Sequence, residues 1–217
     1  MPPVRAYLTA CARIHRLPGT DERSFGPALS ELLNAIGGDL SPAVTCVMEL
    51  QNQGEGHPDG GLFTPDQQVN PQGDSDAPLF AKAASNGSGP IPARGAIEVK
   101  PPTDSLNALA NSDQVARYLS RYGTVLLTNL RDFRLVGTPK GKNGHLETLE
   151  SFTVADSDAA FWTLCNTPTD LDDATAERFR AFLQRVMLRG APLRQPEDVA
   201  WLLASYARDA KIRLGDA

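Results

Sequence analysis

Residues 95 to 137 constrain the fold more than any other stretch. GAIEVK (95–100) has strand composition and stops at Pro101-Pro102, and Ser105 to Tyr122 carries apolar residues at helical spacing. TVLLT (124–128) and FRLVG (133–137) are two further strands, joined by a tight turn over Asn129 to Asp132. A strand that runs through a helix into another strand calls for a mixed sheet with helices packed on it. The 217 residues suffice to bury such a core as one large domain, or as one domain with an appendage.

The rest of the chain extends this plan. ERSFGPALSELLNAI (22–36) puts Phe25, Ala28, Leu29, Leu32, Leu33 and Ile36 at helical spacing before the stop at Gly37-Gly38, which predicts an amphipathic helix. AVTCVMEL (43–50) reads as a first strand, a second starts near Gly61-Leu62-Phe63, and Leu146 to Val154 can add another. Between Thr64 and Ala93, 19 of 30 residues are Gly, Pro, Ser, Asn, Asp or Gln, so a long, mobile loop is expected to interrupt the domain. Beyond Asp156 three helices are predicted, over Ala159 to Cys165, Thr175 to Leu188 and Pro196 to Leu214. The expected class is α/β, a mixed central sheet flanked by helices with a C-terminal helical segment. Residues 1–154 would form the domain and 155–217 a helical connector leading to domains missing from the chain.

A net charge of −5 gives no global basic footprint, so nucleic-acid contact requires a local patch. Arg117, Arg121, Arg131 and Arg134 are the available surface. Cys11, Cys46 and Cys165 are widely spaced and lack the pairing of a zinc site, which fits buried free thiols in a reducing cytosol. Without a signal-type apolar run or a spanning stretch, the expectation is a cytoplasmic protein with no membrane partner.

Four features can carry chemistry. His57-Pro58-Asp59-Gly60 lies at the mouth of the second strand, and the period of a strand points Glu98 and Lys100 to one side of the third. Two carboxylates and an ammonium would make a site for Mg2+, or Mn2+, with Asp59 and Glu98 as ligands and Lys100 orienting the water or neutralising developing charge. The three are expected at one edge of the sheet, on the face toward the first helix. The spacing alone is weak, because an exposed strand face with alternating charge has the same pattern. At 100° per residue Glu22 falls in the apolar sector of the first helix, where it would need a metal or a partner; a first-turn Glu favoured by the helix dipole fits equally well. Gln114 and Tyr118 share a face of the second helix, with Arg117 and Arg121 beside them. Glutamine there can hold a water or phosphate oxygen and the arginines a backbone, although a solvated basic edge is the commoner use of such spacing.

Other motifs carry less. Gly137-Thr-Pro-Lys-Gly-Lys-Asn143 has three residues between its glycines and lacks the Ser or Thr and the following helix of a phosphate loop. His15, His57 and His145 have no metal or triad spacing; His57 sits close enough to Asp59 to meet substrate, but a solvent-exposed loop histidine is the favoured reading. Trp162 and Trp201 fall in helical segments, where core packing is the default.

Pro58-Asp59, Glu98-Val99-Lys100 and Gln114-Val115-Ala116-Arg117-Tyr118, in that order on a helix, three strands, a helix and a strand, resemble the PD-(D/E)XK nuclease superfamily with its QxxxY helix. RSFGPALSELLNAIG, PDGGLF, EVKPP and QVARYLSRYGTVLLTNLRDFRLV together resemble, more narrowly, the N-terminal nuclease domain of single-chain restriction–modification enzymes. The resemblance spans about Glu22 to Gly137 and implies a restriction-endonuclease-like core. It implies Mg2+-dependent hydrolysis of DNA, with Asp59, Glu98, Lys100, Gln114 and Glu22 in the catalytic set and Tyr118, Arg117 and Arg121 toward substrate. It implies, too, methyltransferase and target-recognition domains on the same longer polypeptide, in anti-phage defence. The insert at 64–93 widens the gap between Asp59 and Glu98, leaving Asp66, Asp74 and Asp76 as alternative first acids, and no methyltransferase motif is present. The rival expectation is a nuclease-like module that docks DNA or a protein without cutting.

Overall fold

The computed structural model describes residues 1–50, 56–67, 91–138 and 146–190, together with Leu203, Tyr206, Ala207, Ala210 and Lys211, which are helical. Most of the 64–93 segment, the 196–214 helix apart from those five residues, His145, Trp201 and the lysines of the 137–143 motif lie outside the described residues.

Among the described residues six strands form one sheet in the order β1 (Thr45–Met48), β2 (Gly60–Phe63), β3 (Ala96–Val99), β4 (Thr124–Thr128), β5 (Asp132–Gly137) and β6 (Glu147–Thr153). All neighbours are antiparallel except β3 and β4, which pair Ala96 with Val125 through Val99 with Thr128 in parallel. A parallel pair needs a crossover, supplied here by α3 (Leu106–Ala110) and α4 (Asp113–Tyr122). The single helix expected over 105–122 is two. Ser105 caps the first, and the Ser112 hydroxyl accepts from the Val115 N–H to begin the second, which re-aims α4 across the sheet.

The other face carries α1 (Pro3–His15), α2 (Gly26–Gly37), α5 (Asp158–Asn166) and α6 (Asp173–Leu188). Leu8, Leu29, Leu33 and Ile36 are fully buried there, each worth about 1.5–3 kcal/mol of apolar transfer. Val4, Tyr7, Leu8, Cys11 and Ala12 form the apolar stripe of α1, a helix the sequence reading missed. Phe161, Cys165, Phe179, Phe182 and Leu183 join the same core, so α5 and α6, expected as part of a connector, pack with the sheet helices. Ala96, Val115, Tyr118, Tyr122, Val125 and Leu127 make a second, smaller core under α3 and α4.

All three cysteines are buried free thiols, and burial pushes that of Cys46 up to about 12. Among the described residues no helix is long and apolar enough to cross a membrane.

Candidate active site

The site forms where β2 and β3 leave the sheet toward Asp59 and Lys100. Antiparallel register pairs Gly60 with Ile97, so one step further Asp59 stands beside Glu98. The Val99 N–H donates to Asp59 Oδ2 at 2.7 Å and fixes that carboxylate against the strand. The two glycines after Asp59 are required by close approach. A Cβ on Gly60 would meet Met48 Sδ at 2.8 Å, and one on Gly61 would meet Pro92 Cγ at 2.4 Å.

Ile97 and Val99 enter the core under α1 and α2, whereas Ala96 enters the core under α4. Strand alternation therefore turns Glu98 and Lys100 toward α4, and the expectation that they face the first helix is corrected. The direction is set by residue parity along β3, since Val99 is the residue that fills the larger core.

Glu98 is 2% exposed and its Oε1 accepts from Lys100 Nζ at 2.7 Å and from Gln114 Nε2 at 2.9 Å. Gln114 Nε2 also lies 3.2 Å from the Tyr118 hydroxyl, which orients the amide. Glu98 Oε2 is buried and has no hydrogen-bond partner among the described residues. Burial raises the Glu98 carboxyl above the usual range; Lys100 opposes this, and the Asp59 charge adds to it. Burial likewise raises Asp59, against the Val99 N–H and the charges of Lys100 and Arg23. Lys100 loses solvation too, but its bond to Glu98 and the charges of Asp59 and Glu22 outweigh this and raise it. Both partners of the ion pair thus shift upward. The pair holds its proton on Lys100, while Glu98, as the deeper partner, still ionises less readily than a free carboxylate.

Glu22 is not in the apolar sector. Residues 22–25 form a 3-10 turn ahead of α2, whose tighter winding rotates Glu22 out to a half-buried position on the wall of a cleft. That cleft, about 800 Å³, lies between Asp59 and Val99 on one side and Arg23 and Gly26 on the other, with His57 and Glu49 also lining it. Glu49 is held at a positive φ of 58° by its N–H bond to the Asp59 carbonyl at 2.6 Å. The cleft, with Arg23 on its wall, had no signal in the sequence beyond adjacency to Glu22.

Of the sequence candidates, the structure brings together Asp59, Glu98, Lys100 and Gln114, with Glu22 near enough for its charge to reach Asp59 and Lys100. Tyr118 is buried behind Gln114, and Arg117 and Arg121 are exposed on α4 outside this cluster. Arg131 departs from its expected place on a phosphate surface. It donates to the carbonyls of Pro102 and Ala155 and pairs with Asp132 at 2.9 Å, because these segments converge at the β4–β5 turn. Arg134 bonds Asn107 Oδ1 at 2.6 Å. His15 stacks on Trp162 at 3.7 Å. Asp74, Asp76 and the Asp66 side chain lie outside the described residues.

No group of three or more His, Cys, Asp or Glu side chains arranged for a metal occurs among the described residues. The two carboxylates nonetheless fit a hard divalent cation, which commonly takes only one or two from the protein, and the orphaned Glu98 Oε2 lacks the partner such an ion would supply.

The fold and these side chains define a mixed α/β domain with a carboxylate–lysine centre beside an open cleft. No family model matches the chain, and no curated protein matches it at a significant level. Among solved structures it is similar to a chain of the DrdV–DNA complex determined by cryo-electron microscopy. The identity is 19% and the TM-score 0.46, over 75% of this chain and 13% of that one. The chain thus spans about an eighth of the length of that relative.

Proposed function

We propose that this chain is a metal-dependent deoxyribonuclease domain of PD-(D/E)XK type that hydrolyses DNA phosphodiester bonds within a cytoplasmic restriction–modification polypeptide. The observation that carries the reading is the buried Glu98, which shares one oxygen with Lys100 and Gln114 and leaves the other, beside Asp59, without a partner among the described residues. Lys100 answers the charge on one oxygen, but a buried carboxylate oxygen with no bond is costly, and a divalent cation between Glu98 and Asp59 would satisfy it. Asp59 and Glu98 would hold Mg2+ or Mn2+, which when bound polarises a phosphate oxygen and lowers the pKa of a water. Lys100 would orient the attacking water and neutralise charge that develops on the phosphate. Gln114 keeps Glu98 in place, and the Val99 N–H keeps Asp59 in place. Glu22 adds a nearby negative charge at the cleft wall. Methyltransferase and target-recognition domains would lie elsewhere on the longer polypeptide and hold DNA near this centre, raising its effective concentration.

The test is nicking of supercoiled plasmid by the 217-residue chain with Mg2+ or Mn2+, beside Asp59→Asn and Glu98→Gln. Metal-dependent nicking lost in both variants is the expected result. Equal nicking by all three proteins refutes the assignment.

A further inference from the structure

We infer that Arg23, with His57 on the same cleft, binds a phosphate of the DNA strand flanking the one that is cut. The inference rests on the phosphodiesterase reading above but concerns a site apart from the proposed metal ligands. Four observations carry it.

Arg23 lines the cleft that opens onto Asp59, and its positive charge is felt there, since it opposes the rise that burial imposes on the Asp59 carboxyl. Its side chain is exposed and makes no hydrogen bond or ion pair among the described residues, although the acids Glu22, Glu49 and Asp59 line the same cleft. A guanidinium in such company ordinarily takes a carboxylate; one left unengaged presents its donor fork to an incoming anion.

The turn that carries it is held on both sides. The Ser24 N–H donates to Asp21 Oδ1 and the Asp21 N–H donates to Ser24 Oγ, each at 3.2 Å, closing a capping box. Phe25, next in sequence, is buried against Trp162 at 5.8 Å between ring centres. Arg23 therefore projects from a fixed backbone, which reduces the ordering cost of binding.

His57 lines the cleft two residues before Asp59, exposed and likewise without a hydrogen-bond partner among the described residues. Both cationic or donor side chains thus belong to segments that lead directly into the site.

The remaining wall is mixed. Met48, Leu50, Pro27 and Pro58 supply apolar surface between these polar groups. A strand of nucleic acid, with phosphates linked by apolar sugar and base faces, can use both kinds of surface, whereas a free anion would meet only the polar groups.

The measurement is fluorescence anisotropy of a labelled 20-base-pair duplex with the full 217-residue chain, in Ca2+ to limit cleavage, over a salt series. Arg23→Gln is expected to weaken binding about tenfold and to lower the slope of log affinity against log salt by about 0.9, the value of one duplex phosphate contact. Arg23→Lys should retain the slope, and His57→Gln should weaken binding by a smaller factor. An unchanged slope in Arg23→Gln overturns the inference. A changed pH profile of nicking with unchanged binding overturns it also, since Arg23 would then act only by tuning Asp59. Failure of the underlying reading looks different: Asp59→Asn would continue to nick plasmid whatever the Arg23 variants did to binding.

Discussion

Asp59 and Val99 are joined across the β2–β3 pair by one hydrogen bond, from the Val99 backbone N–H to Asp59 Oδ2 at 2.7 Å. The bond is made by backbone on one side, so the orientation of Asp59 depends on strand register and not on any neighbouring side chain. It also separates the duties of β3. Val99 packs inward under α2 and donates outward to Asp59, while Glu98 and Lys100 on either side of it face α4.

Asp59→Asn should raise stability at neutral pH in metal-free buffer while abolishing nicking. Burial raises the folded-state pKa of both Asp59 and Glu98. A carboxyl raised on folding contributes stability that is present below its unfolded pKa and lost as pH rises through the folded value. The wild-type chain should therefore lose stability from about pH 4 upward through the raised values of these two groups. The amide cannot ionise, so the variant should escape its share of that loss. Thermal melts at pH 4 and pH 7 in chelator read it, at about 2–4 °C for each kcal/mol recovered. Equal melting shifts for both proteins between the two pH values would contradict the burial argument.

Lys100→Ala is expected to cost stability as well as activity. Its ammonium pairs with a carboxylate whose side chain is 3% exposed. Removing one partner leaves the other buried and unpaired, a loss toward the low end of ~3–5 kcal/mol because Lys100 itself keeps some solvent access. Glu98→Gln in the same chain should restore much of that loss, and the coupling is measured by a double-mutant cycle in urea.

The crossover unit and the shared side of Glu98 and Lys100 were readable because strand period and helix spacing are local properties. The face they share was not, since it depends on which core Val99 fills. Of the two readings of Glu22 the first-turn one holds and the buried one does not, because a 3-10 turn and an α-helix offer the same composition over four residues and differ only in winding. The break at Ser112 was missed because a serine capping Val115 and a serine inside a helix look alike until the chain has to cross the sheet. The stripe from Val4 to Ala12 was present in the sequence, but Arg5 and Thr9 between its members dilute it, and α1 draws its stability from packing on α2, α5 and α6.

Asn34 should prove an edge guard. β1 is an edge strand, and the Cys46 N–H donates to Asn34 Oδ1 at 2.7 Å while Asn34 Nδ2 donates to the Cys46 carbonyl at 3.2 Å. The amide thus occupies the groups that a further strand would use. Asn34→Ala is expected to cost about 1–3 kcal/mol for the two groups it leaves unpaired. It should also promote self-association at high concentration, read by denaturant midpoint and by light scattering.

The arginines expected to meet DNA should divide by what they touch. Arg131 is half-buried and holds Pro102, Ala155 and Asp132 together, so Arg131→Ala removes hydrogen bonds from a charged donor, each worth about 1.5–3 kcal/mol. The expected result is a lower urea midpoint with the salt slope of DNA binding unchanged. Arg117 and Arg121 are exposed on α4 and have no protein partner among the described residues. Replacing either by Ala should leave the urea midpoint within about 0.5 kcal/mol of wild type. If α4 faces the duplex, each replacement should lower the salt slope by about 0.9. A full wild-type slope in the Arg117→Ala, Arg121→Ala double variant would move the DNA away from α4 and leave the Arg23 cleft as the surface that meets it.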